Sequence, residues 1–182
     1  IERLKKNIKN DVIVTCGTNG KTTTNNLLYT ALTKSGFKVL CNRLGANMLG
    51  GVATAFALEC DWLGRFSVDY ACLEVDEAST VKVFDHIKPN YVIITNLFRD
   101  QLDRYGEVTH TLENIKIGIS HSPNATLCLN ADDSLCTSIH DDFENPVIFF
   151  GVNTPIYTSR VEELSDAPYC IKCKSEYEYD FV

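Results

Sequence analysis

Gly17-Thr-Asn-Gly20-Lys21-Thr22-Thr23 stands directly behind an apolar run, Asp11 to Cys16, and directly before a helix-forming stretch. The chemistry of that arrangement is anion binding. A polyphosphate needs backbone N–H donors at close range, so glycine is required where a Cβ would obstruct. It also needs a cation beyond the turn and a hydroxyl for a magnesium ion. Gly17 and Gly20 supply the turn, Lys21 the charge on the terminal phosphates, and Thr22 the hydroxyl. Thr18, Asn19 and Thr23 complete the loop, and the dipole of the following helix adds to it. The strict pattern has a further glycine where this chain has Thr15, so the loop is a variant.

Other polar residues fall at the ends of apolar runs. Glu74 lies at the end of Tyr70 to Val75, Asn96 follows Tyr91 to Thr95, and Asn130 follows Ala125 to Leu129. Open parallel sheets bind ligands at the carboxyl ends of their strands, which is where these side chains belong. No Asn/Thr-Lys-x-Asp guanine-reading motif is present, which argues against a GTPase.

Cys170-Ile-Lys-Cys173 has the knuckle spacing that lets two thiolates share a zinc ion, given two more ligands. A redox pair or two surface thiols fit the same spacing. The other cysteines (Cys16, Cys41, Cys60, Cys72, Cys128 and Cys136) are scattered among apolar neighbours. They read as small buried hydrophobes of a reducing cytoplasm rather than a disulfide framework.

These side chains need a scaffold. The spacing predicts a short helix over Ile1 to Lys9, then strand Asp11 to Cys16, helix Thr22 to Ser35 and strand Phe37 to Cys41. The alternation continues with helix Asn47 to Cys60, strand Tyr70 to Val75, helix Ala78 to Ile87 and strand Tyr91 to Thr95. It ends with helix Glu107 to Ile119, strand Ala125 to Leu129, helix Asp132 to Ile139 and strand Pro146 to Phe150. Continuously apolar strands alternating with helices predict an α/β fold, a mostly parallel sheet with helices on both faces. A polar stretch from Asn153 to Pro168 marks a boundary or insertion. The expected organisation is a nucleotide-binding domain over 1–152 and a linker with the first half of a cysteine insertion over 153–182. The first residue is Ile and Tyr177 to Val182 reads like a strand cut short, so a fragment is expected.

Composition limits the function classes. The 182 residues carry 17 Lys+Arg against 24 Asp+Glu, a net charge of −7, which argues against a nucleic-acid surface. No apolar run is long enough to span a bilayer, and no signal peptide opens the chain.

The phosphate loop, Leu73-Glu-Val-Asp-Glu77, Gly45-Ala-Asn-Met48, Thr95-Asn96 leading into Phe98-Arg-Asp-Gln-Leu-Asp-Arg-Tyr-Gly-Glu107, and Asn130-Ala-Asp-Asp133 occur in one order. Together they resemble the P-loop central domain of the Mur ligase family, from about Asp11 to Gly151. Those ligases activate a carboxylate as an acyl phosphate and attack it with an amine; folylpolyglutamate synthases share the fold. The branch most resembled is the MurT type, the ligase-like subunit of lipid II isoglutaminyl synthase, which works with a GatD-type glutaminase. That resemblance implies an enzyme amidating the D-glutamate α-carboxylate of lipid II to D-isoglutamine, acting in the cytoplasm at the inner face of the membrane. It implies ATP and Mg2+, with Lys21 and Glu74 catalytic, and Thr22 and Glu74 holding magnesium. Asn130 would reach the adenine, and Asn96 the phosphate–substrate region. Cys170 and Cys173 would be half of a four-cysteine Zn2+ ribbon, the other pair and a C-terminal domain lying beyond Val182.

Gln101 stands where most of the family has a metal-binding His, so a second magnesium site loses a ligand. Lys116 has the spacing of the family's carbamylated lysine, although its place in the pattern favours a solvated face. An amino-acid-adding Mur ligase, a folylpolyglutamate synthase-like enzyme and a non-catalytic nucleotide-binding module are the alternatives.

Overall fold

The apolar runs become six parallel strands: β1 (Val12–Cys16), β2 (Val39–Cys41), β3 (Tyr70–Glu74), β4 (Tyr91–Ile94), β5 (Thr126–Asn130) and β6 (Val147–Phe150). The helices between them are α1 (Lys21–Lys34), α2 (Leu49–Glu59), α3 (Thr80–His86), α4 (Glu107–Ser120) and α5 (Ser134–His140). This computed structural model describes residues 5–42, 46–98, 107–154, 169, 170 and 173–176. Gln101 and most of the 153–168 stretch lie outside the described residues.

The strand order is β2-β3-β1-β4-β5-β6. The crossover from β1 to β2 runs toward one edge, and every later crossover runs back toward the other. With right-handed connections, α1 covers one face and α2 to α5 the other. The packing agrees: α1 lies on β1, β2 and β3, while α3 packs against α2 and α4. The direction of winding therefore reverses beside β1, between its neighbours β3 and β4. Ligands of open α/β sheets bind at such a point, and the glycine loop after β1 emerges there.

Val12, Val14 and Cys16 of β1, Leu73 of β3, Ile94 of β4 and Leu127 and Leu129 of β5 form the core with Phe56, Phe84, Ile115, Ile119 and Ile139 from the helices. Each such side chain contributes about 1.5–3 kcal/mol on burial. Coverage is uneven, however. Along β4 and β5 buried residues alternate with half-buried ones, and Ile148, Phe149 and Phe150 of the edge strand β6 are exposed.

One element departs from the expectation. Rather than continuing a helix, Ile8 makes a parallel bridge to Val68, with Lys9 N donating to Val68 O (3.0 Å) and Val68 N to Asn7 O (3.3 Å). The backbone groups of Ile8 find partners at the start of the sheet, which a lone helical turn cannot offer. Residues 1–4 lie outside the described set.

The cysteines follow the expectation more closely. No disulfide occurs among the described residues; Cys16, Cys72 and Cys136 are buried, and Cys41, Cys60 and Cys128 half-buried. Burial pushes the Cys72 thiol up to about 12, so it is an inert hydrophobe at neutral pH.

Asp133 ties the fold to the site. It caps α5, with Oδ1 accepting from Leu135 N (2.8 Å) and Cys136 N (3.1 Å), while Oδ2 accepts from Leu97 N (2.6 Å). The carboxylate is buried and joins the segment after β4 to the segment after β5. Asp133→Ala should cost about 2–4 kcal/mol, adding a lost cap to an unsatisfied buried N–H. Urea unfolding measures this, and a loss under about 0.5 kcal/mol would remove Asp133 from the fold's supports.

Candidate nucleotide-binding site

The loop between β1 and α1 is shaped by its glycines. Gly17 has φ +123°, and a Cβ there would lie 2.8 Å from Asn96 O and collide with Thr95 Oγ1. Gly20 has φ +79° and serves as the N-cap of α1 with no side chain capping the helix. Nothing lies within 4 Å of a Cβ built on Gly20. The first turn of α1 carries no acidic residue to offset the positive end of its dipole, which suits an anion. Thr15 is the penultimate residue of β1, in register with Glu74 and Ile93, and so belongs to the sheet rather than the loop.

The residues after β4 hold the loop from behind. Thr18 N donates to Asn96 O (2.9 Å) and Asn19 N to Asn96 Oδ1 (2.8 Å), while Asn96 Nδ2 donates back to Asn19 O (3.0 Å). The Thr95 hydroxyl donates to Asn19 O at 2.7 Å. Phe98 N donates to Thr18 Oγ1 at 3.2 Å. Asn96 thus braces the phosphate loop, a role sharper than the one its sequence position implied.

Glu74 closes β3 in a buried position. Asn42 clamps its backbone from the neighbouring strand's end: Glu74 N donates to Asn42 Oδ1 (2.8 Å) and Asn42 Nδ2 to Glu74 O (2.7 Å). Thr22 and Thr23 are exposed on the first turn of α1. Lys21 has another partner. Its Nζ donates to Glu77 Oε1 at 3.0 Å, both side chains being largely covered. Sequence spacing singled out Glu74 and missed Glu77; its signal was the second glutamate of the Glu-Val-Asp-Glu run.

Asn130 uses its amide on the scaffold, Nδ2 donating to Thr95 O (2.9 Å) and Oδ1 accepting from Asp132 N (2.9 Å). Lys116 corrects the solvated expectation. Its Nζ pairs with Asp142 at 2.7 Å, and its side chain is only 19% exposed, because α4 turns this position toward the segment after α5.

Cys170 and Cys173 share a tight turn. Cys170 N donates to Ser175 O (2.8 Å), Lys174 N to Cys170 O (3.0 Å), and Tyr169 bridges Glu176 in antiparallel fashion. Lys174 takes φ +61° to close it. Among the described residues, no group of three His, Cys, Asp or Glu is placed to hold a metal ion.

A family model for the Mur ligase middle domain matches residues 14–176. The chain belongs to the Mur ligase family. Within that family it is similar to the "Lipid II isoglutaminyl synthase (glutamine-hydrolyzing) subunit MurT" of Staphylococcus aureus (strain COL), 31% identical over 94% of this chain and 38% of the relative. It is 39% identical to the protein of the same description from Streptococcus pneumoniae (strain ATCC BAA-255 / R6), over 83% of this chain and 32% of that relative. The MurF ligase of Thermotoga maritima, solved in complex with ADP, superposes with a TM-score of 0.67 at 21% identity, covering 84% of this chain and 35% of that one. The chain therefore spans about a third of the length of these Mur relatives, the part that forms the middle domain.

Proposed function

We propose that this chain is the ATP-binding part of a ligase subunit that amidates the D-glutamate α-carboxylate of lipid II to D-isoglutamine. The observation that carries the reading is the likeness to the two MurT subunits, extending over 94% of the chain in one and reaching 39% identity in the other. The phosphate loop gives it chemistry. Gly17 lets the loop pack against Thr95 and Asn96, Gly20 leaves room for phosphate oxygens, the N–H groups opening α1 receive them, and Lys21 neutralises charge on the transferring group.

A magnesium ion, held through Thr22 and Glu74, would draw charge from the phosphates. Two oxygen side chains suit it, since Mg2+ takes its remaining positions from phosphates and water. The substrate carboxylate attacks the γ-phosphorus, forming the acyl phosphate and releasing ADP. Ammonia then attacks the acyl carbon, phosphate departs and the nitrogen loses a proton. Asn96, bracing the loop, would keep its donors aimed throughout, and Asn130 would reach the adenine.

No cysteine here has the setting of a glutaminase nucleophile, which needs a nearby base. The buried thiols Cys16, Cys72 and Cys136 are all pushed up in pKa by desolvation. Ammonia would come from a separate glutaminase subunit of GatD type. Cys170 and Cys173, on their shared turn, would be half of a Zn2+ ribbon completed by a second cysteine pair. Among the described residues no helix is long and apolar enough to cross a membrane. The proposed place of action is the cytoplasmic face, where the substrate's head group projects.

The nitrogen source tests the reading. The full-length protein should amidate lipid II poorly with glutamine alone, better with high ammonium, and efficiently with glutamine plus the glutaminase subunit. Preference for an amino acid over ammonia would instead indicate an amino-acid-adding ligase.

A further inference from the structure

The Lys21–Glu77 contact is the one feature of the site that nucleotide binding cannot leave as it is. Lys21 is a flexible stem carrying an ammonium; Glu77 sits on a fixed backbone. Val75 N donates to Thr15 O (3.0 Å) and Asp76 N to Asn47 O (2.9 Å). The Asp76 side chain accepts from Ala78 N (3.2 Å), capping the short 3-10 turn Glu77–Ser79. Thr80 Oγ1 lies 2.7 Å from Glu77 O and 3.0 Å from Asn114 O of α4. A Cβ on Gly118 would come within 2.9 Å of the Thr80 Cβ, so α4 lies hard against this segment. The backbone that carries Glu77 is thus held by β1, the segment before α2, and α4, while the lysine has a long flexible stem.

We infer that Glu77 is the counter-ion of Lys21, a positioning residue that holds the ammonium until nucleotide phosphates draw it away. The inference rests on the phosphate-loop reading above and gives that loop an electrostatic gate. With the lysine gone, Glu77 faces the phosphates with Asp76 beside it and Glu74 three positions earlier in the chain. Like charges at short range repel strongly where water is scarce, and Glu77 is only 12% exposed in its side chain. A metal-free nucleotide meets that repulsion in full, whereas a nucleotide carrying a divalent cation does not. Glu77 therefore makes the loop select the metal-loaded form.

Calorimetric titration with ADP, with and without Mg2+, tests this on three variants. Glu77→Gln keeps an oxygen acceptor for Lys21 but removes the charge, and should bind metal-free ADP about tenfold more tightly than wild type. Its gain on adding Mg2+ should shrink by the same factor. Glu77→Asp keeps the charge and should retain the wild-type preference for the metal-loaded form, which a purely structural role for the side chain would not produce. A Gln variant that binds metal-free ADP no better than wild type overturns the inference. A measurement on wild type stands independently of how the variants fold: the Glu77 carboxyl carbon resonance should move when ADP displaces Lys21, and an unmoved resonance overturns it equally. The two readings fail separately. Unchanged ADP affinity in Lys21→Ala removes the phosphate loop itself; lost affinity there, with no gain in Glu77→Gln, removes only the gate.

Discussion

Lys21→Ala is expected to lower ATP-dependent turnover of the full-length enzyme by about 10²–10³-fold or more, the range seen when one preorganised charge-stabilising group is removed. Calorimetry should show ADP binding sharply weakened as well, because the ammonium touches ground-state phosphates too. The same substitution has a stability cost. It leaves the Glu77 carboxylate largely covered and without the ammonium that lies 3.0 Å from it. Burial already raises the Glu77 carboxyl above its usual value, with the Lys21 contact pulling the other way. A group whose folded pKa is raised stabilises the fold most below its unfolded value, and that contribution is lost as pH rises through the folded value. Removing Lys21 raises the folded value further. The deficit of Lys21→Ala relative to wild type should therefore grow as pH rises above the usual carboxylate range and shrink as pH falls and the raised carboxyl is protonated. A constant deficit across that window would mean that Glu77 stays ionised and finds another partner. Full ADP affinity in the variant would sink the phosphate-loop assignment.

The sequence made some of this plain and hid the rest for physical reasons. Val12–Cys16 and Tyr70–Glu74 were legible as strands because each is a mostly apolar run, with Thr15 in the first and Glu74 closing the second, and α1 was legible from its glycine at either end. The order β2-β3-β1-β4-β5-β6 was not, since nothing local in β3 says that it will insert between β2 and β1. Ile8 looked helical because Ile1, Leu4 and Ile8 share a helical face; the partner that overrides this, Val68, is far along the chain. In the site, the turn at Gly17 and Gly20 was readable because glycine takes the positive φ that both positions have. Which carboxylate meets Lys21 was not readable, because Glu74 and Glu77 differ only by the geometry of the turn between them. Lys116 shows the same limit: its pairing with Asp142 depends on how α4 and α5 approach one another.

Gly17→Ala should damage fold and site together. The backbone at φ +123° is one that L side chains rarely adopt, and the added carbon would lie 2.8 Å from Asn96 O, a backbone atom. Asn96 cannot retreat, since its own amide and carbonyl hold Asn19 and Thr18. Strain and overpacking together should cost about 2–4 kcal/mol, read as a lowered urea midpoint with an unchanged slope. Nucleotide affinity should fall with it, because relief of the clash pushes the loop away from the strand ends that aim its donors. Gly20→Ala provides the contrast. It too has positive φ, but the space around it is open, so the fold should lose only about 1–2 kcal/mol. The methyl would then stand at the mouth of α1, where phosphate oxygens approach, and ADP affinity should drop far more than stability does. If Gly20→Ala instead binds ADP like wild type while Gly17→Ala unfolds, the glycines serve the turn alone and the anion sits elsewhere. Both variants behaving like wild type in urea would mean that the loop relaxes freely, and the bracing by Thr95 and Asn96 would lose its support.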